Sequence, residues 1–132
     1  MAKLIHTMVR VSDLDRSVRF YRDAFGLDVS QRRDFADFSL VYLRGPDTEA
    51  ELELTWNKGR TEPYTHGDGY GHVAFCVDDA AASRRRLGEL GLAPGEVKEF
   101  RDDTGDLIAR FFFVQDPDGY KIEVLERHGH YQ

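Results

Sequence analysis

The stretch Leu4-Ile5-His6-Thr7-Met8-Val9-Arg10-Val11 runs into Ser12-Asp13-Leu14-Asp15. The middle of the chain repeats the pattern as Gly71-His72-Val73-Ala74-Phe75-Cys76-Val77, running into Asp78-Asp79. Each copy reads as a strand that opens on a histidine and closes on side chains suited to capping a helix. A helix of about three turns should follow each strand. Leu14, Val18, Tyr21 and Phe25 recur at helical spacing before Gly26, and Ala80, Ser83, Leu87 and Leu90 do so before Gly91.

Three strand-like segments follow each helix, at 28–33, 38–43 and 51–56, then at 96–101, 107–114 and 120–125. Gly45-Pro46-Asp47 and Asp116-Pro117-Asp118-Gly119 supply turn chemistry between them. The chain is therefore expected to be α+β, built as two βαβββ modules within one domain spanning 1–132. The modules cover 1–57 and 69–126, with a connector at 58–68 and a tail at 127–132.

Strand parity assigns faces. His6, Met8 and Arg10 share one face of the first strand, opposite Ile5, Thr7, Val9 and Val11. Glu53, Thr55 and Asn57 stand opposite Leu52, Leu54 and Trp56. In the second module His72, Ala74 and Cys76 oppose Val73, Phe75 and Val77, and Lys121, Glu123 and Leu125 oppose Tyr120, Ile122 and Val124. Each module thus offers one histidine and one glutamate on the face away from its more apolar set. Two imidazoles and two carboxylates suit a divalent ion such as zinc, nickel, cobalt, iron or manganese. The same pattern also fits half-buried strand histidines beside glutamates that face water.

Bulk properties narrow the partners. The 132 residues are 41% hydrophobic and 32% charged, with a formal net charge of −6. That balance suits a soluble domain directed at small molecules and argues against nucleic acid, which needs a basic footprint. The apolar run Phe111-Phe112-Phe113-Val114 is far too short to cross a membrane. The single cysteine, Cys76, makes no internal disulfide and points to a reducing cytoplasm; its thiol is expected to be buried. Arg84-Arg85-Arg86 reads as a solvated helix face, and the tail carrying His128 and His130 as mobile.

His6 to Leu14, Ser17 to Tyr21, Phe25 to Leu27, Leu52 to Asn57, Tyr70 to Ala74 and Asp116 to Glu123 together resemble the glyoxalase I family of the vicinal oxygen chelate superfamily. The resemblance runs from about residue 3 to residue 126. It implies paired βαβββ modules in a curved mixed sheet, and isomerisation of the hemithioacetal of methylglyoxal and glutathione to S-lactoylglutathione. It also implies metal ligation by His6, Glu53, His72 and Glu123, with nickel or cobalt ahead of zinc. Under it the metal stabilises the enediolate, Glu123 is the proton-carrying base, and Glu53 serves the opposite stereochemical face. Arg10, Asn57 and Arg101 are the implied thiol-binding residues. A homodimer with sites shared between subunits is the implied assembly. Asp68 and the acidic loop Arg101-Asp102-Asp103-Thr104-Gly105-Asp106 depart from the family pattern, which leaves a less acidic thiol, such as a polyamine conjugate of glutathione or another low-molecular-weight thiol, as the alternative to glutathione, the first choice. The superfamily also holds extradiol dioxygenases, epimerases, thiol transferases and non-catalytic bleomycin-binding proteins, and those metalloenzymes often lack a fourth ligand at the position of Glu53.

Overall fold

A computed structural model describes residues 1–132 and divides them into two units, 1–65 and 66–132. In the first unit β1 (His6–Val11) leads into α1 (Leu14–Phe25), β2 (Asp28–Asp34), β3 (Phe38–Arg44) and β4 (Glu51–Asn57). The sheet order is β1-β4-β3-β2, with β1 and β4 parallel and the other neighbours antiparallel. The second unit repeats this with β5 (Val73–Val77), α2 (Ala80–Glu89), β6 (Lys98–Arg101), β7 (Leu107–Gln115) and β8 (Lys121–Glu126), ordered β5-β8-β7-β6. No helix is long and apolar enough to cross a membrane.

Local chemistry starts both helices, and stops α1, where the pattern predicted. The carboxylates of Asp13 and Asp79 accept the backbone N–H of Arg16 and Ala82 at 3.0 and 2.9 Å, satisfying donors that a helix start leaves open. Gly26, at φ 68°, ends α1 in the left-handed conformation that a side chain would resist. The buried stripe of α1 is Leu14, Ser17, Phe20, Tyr21 and Ala24. It is rotated from the expected one, because the small Ser17 and Ala24 let the helix approach the sheet while Val18 and Phe25 fall on its flanks. Leu90, expected in the core, is 47% exposed because α2 stops at Glu89.

Each sheet buries one face. Val9, Val11, Val41, Leu43, Leu52 and Leu54 form the core of the first unit, and Leu87, Phe112, Val114, Ile122 and Val124 that of the second. Full burial of each such side chain stabilises the fold by about 1.5–3 kcal/mol. The hairpin leading to β8 is set by Asp116, whose buried carboxylate accepts the N–H groups of Asp118 and Tyr120 at 2.9 Å each. Gly119, at φ 84°, completes the turn.

Glu126 has a structural post. Its carboxylate accepts the N–H of Ala80 at 3.0 Å and pairs with Arg110 at 2.8 Å, fastening the start of α2 to the end of β8. Replacing Glu126 by Ala leaves that N–H and the guanidinium short of a partner. It should destabilise the protein by about 1–3 kcal/mol in urea or thermal unfolding at neutral pH; an unchanged midpoint would show that the tie contributes nothing.

Candidate metal centre

In the first unit the face away from α1 carries His6, Met8 and Arg10 on β1, Glu51, Glu53, Thr55 and Asn57 on β4, and Leu40 and Tyr42 on β3. The register aligns Met8, Glu53 and Tyr42 in one row across the sheet. Because β4 is flanked on both sides, Glu53 is only 8% exposed. A carboxylate so placed needs donors, and it has them. Thr55 Oγ1 donates to it at 3.4 Å, and the Tyr42 hydroxyl donates from the neighbouring strand. The bond to Glu53, with burial acting in the same direction, holds the Tyr42 phenol above its ordinary pKa. The His6 ring stands edge-on to the Tyr42 ring, with centroids 5.6 Å apart and planes at 73°.

The second unit repeats the arrangement. Glu123 pairs with Ala74 on one side and Phe113 on the other. His72 lies one residue before β5 rather than within it, and its Nε2 comes 3.3 Å from Glu123 Oε2. The His72 and Phe113 rings meet edge-on at 5.7 Å and 73°.

The donor chemistry fits a divalent ion. Two donors each about 2.0–2.2 Å from a common ion stand about 3.0–3.5 Å apart, the separation found between His72 and Glu123. Neither unit gathers three or more His, Cys, Asp or Glu side chains able to hold a metal. In the first unit His6 and Glu53 stand at the ladder positions equivalent to His72 and Glu123, and Tyr42 meets both of them.

Arg10 and Asn57 share the face of His6 and Glu53, and the Asn57 side-chain oxygen accepts the Tyr64 hydroxyl at 3.3 Å. Arg101 is engaged within its own hairpin, donating to Glu99 at 2.6 Å and to the Gly105 carbonyl at 3.0 Å. Asp102 also turns inward. Its carboxylate accepts from the Thr104 hydroxyl and from the N–H groups of Thr104 and Asp106. The Thr104 hydroxyl is the main reason its pKa is held low.

Two expectations fail. Cys76 is exposed, not buried, because it lies on the open face of the edge strand β5. The tail is folded: His128 Nε2 meets the Leu107 carbonyl at 2.9 Å, and His128 bridges back to Tyr131. Tyr42 was not singled out from sequence, although counting the β3–β4 pairing would have set it opposite Glu53.

The profile of the Glyoxalase/Bleomycin resistance protein/Dioxygenase superfamily matches residues 3–124. The chain belongs to this superfamily. It is 41% identical to the lactoylglutathione lyase of Haemophilus influenzae, over 94% of this chain and 92% of that one. It is 40% identical to the lactoylglutathione lyase of Salmonella typhimurium at the same coverage. Among solved structures, the trypanothione-dependent glyoxalase I of Leishmania major superposes with a TM-score of 0.76 at 36% identity, over 96% of this chain and 87% of that one. An antibiotic-binding protein from a Streptomyces species shares the fold alone, at a TM-score of 0.76 and 22% identity over 97% of this chain and 98% of that one.

The charge cluster around Arg101 carries a pH signature. Hydrogen bonds from Arg110 and then Arg101 hold the Glu99 carboxyl below its ordinary pKa. The folded state therefore binds fewer protons than the unfolded chain between the two values. This contribution is complete above the ordinary carboxylate range, near pH ~4.3, and is lost as pH falls through the lowered folded value. Glu99→Gln should flatten the acid limb of a stability–pH profile. An acid limb identical to that of the unmodified protein would remove Glu99 from the account.

Proposed function

We propose that this chain is a metal-dependent glyoxalase I that converts the hemithioacetal of methylglyoxal and glutathione to S-lactoylglutathione. The observation that carries the proposal is the His–Glu pair repeated at equivalent positions of the two units, in a chain about 40% identical over nearly its whole length to lactoylglutathione lyases. His6, Glu53, His72 and Glu123 would hold the ion, two from each kind of unit. A homodimer in which each site draws His6 and Glu53 from one subunit and His72 and Glu123 from the other would complete the set. Resemblance to the glyoxalases that lack the extra loops of the zinc-dependent forms supports nickel or cobalt over zinc, and the single cysteine supports a reducing cytoplasm.

When bound, the ion supplies Lewis-acid stabilisation of the negative charge that develops on the substrate oxygens. The chain's own residues do the rest. Glu123 takes the proton from the hemithioacetal carbon, so that a C–H bond breaks and a carboxyl O–H bond forms. It then returns that proton to the adjacent carbon, while the substrate hydroxyl proton passes to the neighbouring oxygen. No oxidant or reductant is needed, as an isomerisation requires. Glu53 serves the opposite stereochemical face. Arg10 pairs with the γ-glutamyl carboxylate and Asn57 hydrogen-bonds the same moiety. Arg101 would reach the far end of the thiol only by leaving Glu99.

One observation favours a second thiol. Asp103 and Asp106 lie exposed on the loop beside the engaged Arg101, and their charge opposes a dianionic conjugate. A polyamine conjugate of glutathione would remove that conflict.

Metal-free protein reconstituted with nickel, cobalt or zinc should form thioester from methylglyoxal and glutathione. Absence of turnover with every ion would sink the assignment. Glu123→Gln should lower kcat by about 10²–10⁴-fold with the oligomeric state unchanged. Higher kcat/KM with the polyamine conjugate than with glutathione would establish the second thiol.

A further inference from the structure

The two units differ at the candidate centre in the ring that stands opposite each glutamate. Tyr42 stands opposite Glu53 in the β3–β4 ladder, and Phe113 stands opposite Glu123 in the β7–β8 ladder. The two rings take the same pose toward their histidines: 5.6 Å and 73° for Tyr42 on His6, 5.7 Å and 73° for Phe113 on His72. Antiparallel partners have Cβ atoms about 4.5–5.5 Å apart, so each ring lies beside its glutamate on the open face. Tyr42 has a hydroxyl there and donates it to Glu53. Phe113 has none.

We infer that this difference divides the work between the two glutamates: Tyr42 pins Glu53 as a fixed ligand, while Phe113 leaves Glu123 free to swing and carry the proton. The inference rests on the metal-dependent reading above and extends it to two residues that touch neither the reacting carbon nor the ion. Both are positioning residues. Tyr42 touches His6 and Glu53 together, so one side chain orients both donors of the first unit. Thr55 adds a second donor to Glu53, at 3.4 Å, whereas the strand neighbour at the corresponding step from Glu123 is Leu125, which offers no donor. Burial runs in the same direction: Glu53 is 8% exposed as a residue, and the Glu123 side chain 16%. The carboxylate with more hydrogen-bond donors is also the more enclosed one. A proton carrier must change its distance to the substrate during turnover, and a carboxylate held by two donors and enclosed by the sheet moves less readily, which makes Glu53 the slower carrier on its own stereochemical face.

The experiment exchanges the hydroxyl in the full-length protein. Tyr42→Phe, Phe113→Tyr and the double variant are titrated with Co²⁺, followed by its visible absorption, and assayed separately for kcat. Outer-sphere partners of metal ligands typically govern affinity or activity by about 10–100-fold. Tyr42→Phe should accordingly raise the Co²⁺ Kd by about tenfold or more and shift the cobalt spectrum. Phe113→Tyr should hold or tighten Co²⁺ binding while lowering kcat by about tenfold or more, since Glu123 is then pinned. The double variant should regain part of the rate lost in Phe113→Tyr, with Glu53 now the freer carboxylate. Should Phe113→Tyr fail to fold, the cobalt affinity of Tyr42→Phe, read beside an unchanged melting temperature, decides alone.

Bound Co²⁺ with wild-type affinity and kcat in both single variants would overturn the inference. So would equal losses of affinity and rate in both, which mark two merely structural rings. An unmodified protein that binds no Co²⁺ would overturn the metal reading and the inference with it.

Discussion

Everything at the candidate centre depends on the parallel pairing of the first and last strands of each unit, β1 with β4 and β5 with β8. Parallel neighbours require a crossover, and here the intervening helix packs against one face of the sheet and leaves the other open. That single constraint sends Val9, Val11, Leu52 and Leu54 to the core and His6 and Glu53 to the open face. In the second unit it sends Ile122 and Val124 inward and Glu123 outward. A one-residue slip in either ladder would reverse the assignment and bury the carboxylates under a helix.

The open face is not uniformly wet. Glu53 lies on a strand with neighbours on both sides, so its carboxylate is enclosed although no helix covers it. Enclosure of an ionised group is tolerable only with partners, and the sheet supplies them from residues on the same face, Tyr42 and Thr55. Glu123 occupies the equivalent strand, but the ring across from it is phenylalanine. Two modules with the same backbone plan therefore offer two glutamates with different freedom.

Charged residues elsewhere show why composition is a poor guide to a site. The loop after β6 looks like an acidic barrier in sequence, yet Asp102 spends its carboxylate on the turn itself. Arg101, which looks available, is held by Glu99. Arg110 links Glu99 to Glu126, and Glu126 caps α2. Glu126 and Glu123 are three residues apart on one strand and face opposite sides, one fastening α2 and the other lying on the open face.

The α+β class, the duplication, the turn at Asp116 to Gly119 and the opposite facing of Glu123 to Ile122 and Val124 were determined by sequence alone, because strand alternation, helix caps and turn residues are local properties of the chain. The exact buried stripe of α1 was not, since whether Ser17 or Val18 faces the sheet depends on how closely the helix approaches it. Nor was the exposure of Cys76, which follows from β5 being an edge strand, or the folding of the tail against β7. The hydroxyl of Tyr42 on Glu53 was decided only by tertiary structure: the two residues are eleven apart in the chain and meet because the β3–β4 register sets them side by side. Pairing between strands is a long-range choice, and at this centre it determines which glutamate faces a hydroxyl and which a phenyl ring.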